Sequence, residues 1–322
     1  MSGVQQVTVT DADEGQRLDR WFRQHFPQVK QGQLQKMLRK GQVRVDGGRV
    51  QADRRVYAGE VVRVPPLSDA PAPKSPPRQG PSAADRDFIR DLVLYEDDDI
   101  IALNKPFGLA VQGGAKTTRH IDGMLDGLAR GGERPRLTHR LDRDTGGVLL
   151  LGRTRKAAAS LAEAFQQHRI LKTYWALTRG VPHPLQGRID LPVGKEGAEG
   201  REKMAPGATG GKRAVTDFQV VETMGTRAAF VALRPETGRT HQLRVHLQAL
   251  RTPIVGDRKY GGERAMLEGV APKMHLFCQG MVVPLPGRRR PLVVTAPLTG
   301  HMADSWAFFH FEAPTDLQWP EK

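Results

Sequence analysis

The stretch Leu137-Thr138-His139-Arg140-Leu141-Asp142-Arg143-Asp144-Thr145-Gly146-Gly147 gathers two carboxylates, three basic side chains and two glycines, and runs straight into the apolar segment Val148-Leu149-Leu150-Leu151. A polar loop at the mouth of a buried strand is carried on a rigid scaffold, which is where sites are commonly built. A carboxylate held there can act as a nucleophile or a general base. Two carboxylates can also start a metal site, but a metal-dependent hydrolase using Asp142 and Asp144 needs further ligands at helical or strand spacing, and the sequence offers no such cluster. Taken alone, such a loop is more often a charged turn held by ion pairs.

A second group of chemistry-bearing residues lies in Gly238-Arg239-Thr240-His241-Gln242-Leu243-Arg244-Val245-His246-Leu247. With Thr240 as N-cap, Leu243, His246, Leu247 and Leu250 form an apolar helical stripe, and Arg244 falls one step off it, at the rim. By itself Arg244 is then an exposed helix cation. His246 sits on the stripe and is expected to be a packed, satisfied core histidine, and His139 and His241 are also best taken as structural. Tyr174 belongs to a strand pattern with Trp175 on the opposite face. No G-x-G-x-x-G after a strand, P-loop or H-E-x-x-H is present, so no cofactor and no metal are signalled.

In four segments, in order, the chain resembles the RluA-type pseudouridine synthases. His139-Arg140-Leu141-Asp142-Arg143-Asp144-Thr145-Gly146-Gly147 is similar to their H-R-L-D-x-x-T-S-G signature, with Gly146 in place of the usual serine. Asn104-Lys105-Pro106-Phe107-Gly108 resembles N-K-P-x-G, Lys172-Thr173-Tyr174-Trp175-Ala176-Leu177 resembles K-x-Y-x-A-L, and Gly238 to His246 resembles G-R-T-H-Q-(I/L)-R-V-H, continued by Pro253-Ile254-Val255-Gly256-Asp257 and Tyr260-Gly261.

The resemblance implies conversion of uridine to pseudouridine in RNA. It implies Asp142 as the catalytic carboxylate, Arg244 as its guanidinium partner, and Tyr174 as the ring stacked on the target base and a candidate for proton transfer. Leu243 would lie under the same base and Arg140 would fill the gap left when the nucleotide leaves its stack. His139 and Lys105 complete the expected substrate-binding set. The reaction breaks a C–N bond and makes a C–C bond without redox change or outside donor, so no cofactor is required. The combination of motifs is nearest the RluC-like branch, which acts on large-subunit ribosomal RNA. A catalytically silent RNA-binding or ribosome-assembly protein is the alternative, and joint retention of Asp142, Tyr174 and Arg244 speaks against it.

These segments must be positioned by a mixed framework. Residues 99–104 and 148–151 form apolar strand patterns, 120–130 and 156–168 helical ones, and strands at 172–178, 217–222 and 228–234 follow. The expected class is α+β with a mixed, mainly antiparallel sheet, over a catalytic domain spanning 87–312 and ending in a tail at 313–322. Residues 67–86, LSDAPAPKSPPRQGPSAADR, cannot bury enough apolar surface to offset their ordering entropy and are expected to form a flexible linker.

Ahead of that linker, Leu18, Trp21, Phe22 and Phe26 recur at helical spacing, as do Leu34, Met37 and Leu38, and an alternating hairpin pattern covers 42–50. Lys30, Lys36, Arg39, Lys40, Arg44 and Arg49 crowd the second helix and hairpin. Arg17-Leu18-Asp19-Arg20-Trp21 and Gly41-Gln42-Val43-Arg44-Val45-Asp46-Gly47 are similar to the S4 RNA-binding domain, which implies an RNA-binding unit over 15–66 with Lys30, Lys36, Arg39, Lys40 and Arg44 on the nucleic acid. The 322-residue chain carries 49 Lys and Arg against 35 Asp and Glu, a net charge of +14 that favours a polyanionic partner. Its single cysteine, Cys278, forms no internal disulfide, and neither a signal peptide nor a membrane-length apolar run is evident. A cytoplasmic monomer acting on RNA without a membrane is the expectation.

Overall fold

The structure is a computed structural model whose described residues are 3–67, 80–114, 117–197, 203–285, 287 and 289–319. It divides into two compact units, Met1–Gln79 and Gly80–Lys322.

In the smaller unit, strand β1 (Gln5–Thr8) is followed by helices α1 (Leu18–His25) and α2 (Gln31–Arg39), then the short strands β2 (Arg44–Val45) and β3 (Gly48–Arg49), and β4 (Val61–Val64). The strands pair in the order β1-β4-β2-β3. The helical spacing of Leu18, Trp21, Phe22, Leu34 and Leu38 puts all five on faces that pack against Val43, Val45, Val62 and Val64 of the sheet side. Asp46 and Gly47 make the hairpin turn with positive φ, the backbone that an Asp-Gly turn supplies.

The larger unit opens with α3 (Ala83–Asp91), β5 (Val93–Glu96) and β6 (Ile100–Lys105), followed by α4 (Ile121–Met124), β7 (Arg136–Leu137), β8 (Gly146–Gly152) and α5 (Arg155–Gln166). It continues through β9 (Leu171–Arg179), β10 (Gln186–Asp190), β11 (Val193–Glu196), β12 (Lys203–Pro206), β13 (Val215–Met224) and β14 (Ala228–Pro235) to α6 (Gln242–Ala249), β15 (Leu276–Val283), β16 (Leu292–Thr295) and α7 (Gly300–Phe309). Ten strands form one sheet in the order β10-β13-β14-β9-β15-β8-β6-β5, with β16 beside β15 and β7 beside β8. Only the β15–β8 pairing is parallel. The class is therefore the expected mixed α and β with a mainly antiparallel sheet. Strand β8 is buried along its whole length, which is why its sequence reads as an unbroken apolar run.

Two boundaries differ from expectation. Helix α3 starts inside the segment 67–86 assigned to a linker, because the Ser82 hydroxyl accepts the Asp85 N–H at 3.1 Å and Ile89 is fully buried. The signal was the Ser-x-x-Asp spacing, masked by the Pro and Ala content around it; residues 68–79 of that segment lie outside the described residues. The helix expected over 120–130 is only α4 plus a 3-10 turn, Leu125–Leu128. Gly123 and Gly127 weaken it, and Gly127 is needed where a Cβ would stand 3.0 Å from the Arg86 backbone of α3. Of the expected tail 313–322, the part to 319 is described, and the Arg234 guanidinium lies 4.6 Å from the Trp319 ring.

Candidate active site

The loop carrying Asp142 is tied down at both ends. At its start, Thr138 Oγ1 donates to the Leu150 carbonyl at 2.8 Å and His139 Nε2 accepts the Leu150 N–H at 2.9 Å, so both polar backbone groups of one β8 residue hold the loop. The His139 ring also stacks on Phe165 at 4.3 Å, and burial pushes its pKa down to about 3, so it remains a neutral acceptor. This is the structural histidine expected from sequence, and it lines the cleft without offering its Nε2 to a ligand.

At the far end, Gly147 has φ +105°, and a Cβ there would stand 2.1 Å from the Cys278 carbonyl oxygen, so no side chain fits where β8 meets β15. A Cβ on Gly146 would meet the Phe107 and Phe277 rings at 3.0 Å. The departure from the family serine therefore accompanies an aromatic pair, with centroids 5.8 Å apart, closed over this position.

Lys105 has a different place from the substrate-binding one expected of it. It is fully buried, and its Nζ donates to the carbonyls of Pro106 (2.9 Å), Leu109 (2.7 Å) and Arg143 (3.1 Å). Burial lowers its pKa to about 7, against the pull of Asp144 and Asp142. It is a staple between the Asn104–Gly108 motif and the Asp142 loop, and it is absent from the cleft lining.

Arg244 also departs from expectation, since it is buried to 9% exposure where the helical stripe put it at the rim. The reason is that α6 is enclosed on every side, with all residues from Gln242 to Leu247 buried. Its Nε and Nη2 donate to the Asp257 carboxylate at 2.7 Å each, and Nη1 lies 3.7 Å from Asp142 Oδ2. Burial works against this charge, but the Asp257 bonds and the charges of Asp257 and Asp142 outweigh it and raise the pKa. Asp257 is itself held by the N–H groups of Lys259 (3.1 Å) and Tyr260 (3.2 Å). Gly256, with φ +79°, makes the turn that delivers it, and a Cβ there would strike the Lys273 carbonyl at 2.0 Å. Asp257 and Tyr260 were within the family-like stretch in the sequence, but nothing local pointed to a partner 13 residues away for Arg244.

The first turn of α6 is set differently from the Thr240 cap anticipated. His241 is the N-cap, in the left-handed region at φ +56°, which non-glycine residues seldom adopt. Its Nδ1 is 2.7 Å from Tyr260 Oη and its Nε2 is 3.6 Å from Asp142 Oδ2. Burial lowers its pKa, with Asp142 opposing and Arg244 and Lys259 reinforcing the shift. Gln242 locks the turn with all four of its hydrogen-bonding positions, accepting from Thr237 Oγ1 (2.7 Å) and the Arg239 N–H (3.0 Å) and donating to the Val215 carbonyl and Thr216 Oγ1 (2.9 Å each). His246 is the satisfied core histidine expected: Nε2–H donates to the Leu191 carbonyl and Nδ1 accepts from Thr216 Oγ1, both at 3.0 Å.

Together these elements line a cleft of about 750 Å³ that contains Arg140, Asp142, Tyr174, Leu243 and Arg244. Asp142 is partly exposed at 27%, Arg140 is exposed, and Leu243 is buried. Burial raises the Tyr174 pKa well above the ordinary phenol range, so the hydroxyl keeps its proton and can only give it up to a base as the transfer occurs. The cleft thus sets an accessible carboxylate beside a clamped guanidinium, with the Tyr174 ring and the Leu243 side chain in the same lining. Among the described residues no group of three or more His, Cys, Asp and Glu is placed to hold a metal ion.

In the smaller unit Lys30, Lys36, Arg39 and Lys40 are exposed and form no ion pair among the described residues. Arg44 differs: its guanidinium donates to the Gly41 and Gly47 carbonyls at 3.0 and 3.2 Å and stiffens the hairpin.

An accessible carboxylate beside a buried guanidinium, in a cleft on such a sheet, is the arrangement of an enzyme site. Residues 99–249 match the family described as RNA pseudouridylate synthase. The chain is 35% identical over 303 residues to ribosomal large subunit pseudouridine synthase C of Escherichia coli, covering 92% of this chain and 93% of that protein. It is 33% identical over 301 residues to the protein of the same name from Vibrio vulnificus, covering 91% and 93%. Among solved structures, human RNA pseudouridylate synthase domain containing 4 aligns with a TM-score of 0.60 at 28% identity, over 72% of this chain and 99% of that one. The chain belongs to the RNA pseudouridylate synthase family, and its activity is the isomerisation of uridine to pseudouridine in RNA.

Proposed function

We propose that this enzyme modifies specific uridines of large-subunit ribosomal RNA, acting as a monomer in the cytoplasm. The similarity over nine-tenths of the chain to proteins named for that activity supports the substrate class. The observation that carries the mechanistic reading is Arg244, clamped by Asp257 with its remaining Nη1 3.7 Å from Asp142 Oδ2.

In this reading Arg140 enters the space vacated by the target nucleotide, and the uracil ring lies between Tyr174 and Leu243. Asp142, with Arg244 Nη1 3.7 Å from its Oδ2, either attacks C1′ or acts as a base beside it as the C1′–N1 bond breaks. The base turns, C5 bonds to C1′, the C5 proton leaves and N1 gains one, so the product is an isomer. Tyr174 is a candidate for proton transfer in this sequence. His139 and Lys105 act through the loop that they hold.

The smaller unit serves as an S4-like RNA-binding module over 15–66. Lys30, Lys36, Arg39 and Lys40 meet phosphates, whose neutralisation releases counterions. The part of the 67–86 segment ahead of the Ser82 cap of α3 tethers it, raising the effective RNA concentration at the catalytic unit. The test is to map pseudouridines in ribosomal RNA from cells with and without the protein, and again with Asp142→Asn. Loss of one or a few large-subunit sites in both is expected. An unchanged large-subunit map with sites lost from another RNA would overturn the substrate class.

A further inference from the structure

Two pocket cations, Arg239 and Lys172, have no role in the scheme above, and Arg239 Nε already donates to the Arg213 carbonyl at 3.0 Å. Lys172 lines the cleft, is partly buried, and lies on β9 one side-chain alternation before Tyr174, so both side chains leave the same face of the strand. The register sets Tyr174 opposite Cys278 and Lys172 opposite Met281 on β15, while pairing with β14 ends at Tyr174. Lys172 therefore lies beyond the last β9–β14 pair, and it lines the cleft.

No carboxylate pairs with it, and no hydrogen bond holds its amine among the described residues. The titratable groups around it are His139, Cys278 and Tyr174. Burial leaves all three uncharged, with the Cys278 thiol pushed up to about 12, and it lowers the pKa of Lys172 itself. Every other cation deep in this site is spent on protein acceptors: Arg244 on Asp257, Lys105 on three carbonyls. A half-desolvated ammonium without an anion is costly to keep unless something that enters the cleft supplies one.

We infer that Lys172 binds a carbonyl oxygen of the target uracil and stabilises the negative charge that the base acquires as its glycosidic bond breaks. The inference rests on the proposed placement of the uracil against Tyr174. When C1′–N1 breaks, the electron pair leaves with the base and spreads over N1, O2 and O4. An ammonium placed beforehand in a water-poor cleft stabilises that charge as it develops. A ring stacked on Tyr174 presents its edge within reach of a lysine about 7 Å back along the strand. Phosphates stay at the mouth, where Arg140 is exposed. The pair returns to carbon when C5 attacks C1′, so no oxidant, reductant or other reactant enters.

The experiment uses the full chain and a deproteinised large-subunit ribosomal RNA transcript at a uridine first shown to be converted by the wild-type enzyme. Failure of that control sinks the substrate reading before Lys172 is tested. Saturating single-turnover rates and RNA affinities are then compared for Lys172→Met, Lys172→Gln and Lys172→Arg, with uridine or 5-fluorouridine at the target; fluorine leaves C5 no proton to release, so on both nucleotides the rate is read as loss of the N1-linked nucleoside and not as pseudouridine formed. The Met and Gln variants are expected to lose about a hundredfold in saturated rate, with RNA Kd and its salt dependence unchanged and thermal stability no lower. Arg should recover part of the rate. Because 5-fluorouracil is the more acidic base and carries its own negative charge better, the loss should be smaller for 5-fluorouridine. A wild-type rate in Lys172→Met overturns the proposal, as do equal losses on the two nucleotides or failure of both neutral variants to fold. A loss confined to Kd with a shallower salt slope would assign Lys172 to a phosphate instead.

Discussion

The two units of the chain are both rich in cations but place them in opposite circumstances. In the small unit Lys30, Lys36, Arg39 and Lys40 stand in solvent without carboxylate partners, on a scaffold whose core is the apolar faces of two short helices and a small sheet. In the large unit Arg244, in the cleft lining, and Lys105, which holds the Asp142 loop, are buried and each is fixed by several acceptor atoms. Exposed charges interact through a screened, long-range field in which each contributes a little and geometry hardly matters. Buried charges act at one distance and one angle, and losing a partner strands the other. The first arrangement suits holding a flexible polyanion in many registers. The second suits holding one guanidinium beside one carboxylate at one point.

The contrast is sharpened most by removing the carboxylate itself. Asp142→Asn is isosteric but neither nucleophile nor base, so single-turnover pseudouridine formation should fall at least about a thousandfold, with RNA affinity and melting temperature near wild type. A rate close to wild type with contaminating enzyme excluded would remove Asp142 from the mechanism. Next, Asp257→Asn should loosen the guanidinium without touching Asp142 directly. Breaking a buried pair from one side costs about 3 kcal/mol, so both denaturant stability and saturated rate should drop, while the salt dependence of RNA binding stays the same. If the rate survived at full stability, the clamp would be irrelevant to the reaction.

A pH series separates buried from solvated charge in another way. Burial holds His275 at about 4 and His139 at about 3 in the folded chain, below the ordinary 6.5. Both are neutral when folded and gain protons on unfolding in mild acid. Their stabilisation is therefore complete above about pH 6.5 and is lost as pH falls toward 4, at up to about 1.4 kcal/mol per pH unit for each. Urea unfolding of the catalytic unit at pH 7 and pH 5 should show the fall, and a flat profile would mean that the two rings are not held neutral.

The smallest effects belong to the solvated unit. A chain starting at Gly80, which keeps the Ser82 cap that a start near Ala84 would remove, should bind RNA more weakly and with a shallower salt slope. Its saturated rate on a short, accessible substrate should hold. Lys36→Gln alone should reduce the slope of log Kd against log salt by about 0.7 to 0.9. If the truncated, folded enzyme lost its saturated rate, the small unit would have to help build the site, and the comparison between the two units would fail.

How far the sequence reached follows the range of the interactions involved. The Asp142 loop, the strand that follows it, the two helices of the small unit and the satisfied state of His246 were legible, because each follows from local order: turn residues, an apolar run, a helical period. The helical period also misled, since it places Arg244 beside the apolar stripe but says nothing of how many elements cover the other faces of α6. Burial of that helix from Gln242 to Leu247, the Asp257 clamp brought in by the turn at Gly256, the left-handed cap at His241 and the diversion of Lys105 to three carbonyls are decided by segments far apart in the chain. Local sequence thus determined which groups are present and which strand or helix carries them. The tertiary structure alone decided which charges lose their water, and with it their partners, because desolvation depends on everything packed around a side chain and not on its neighbours in sequence.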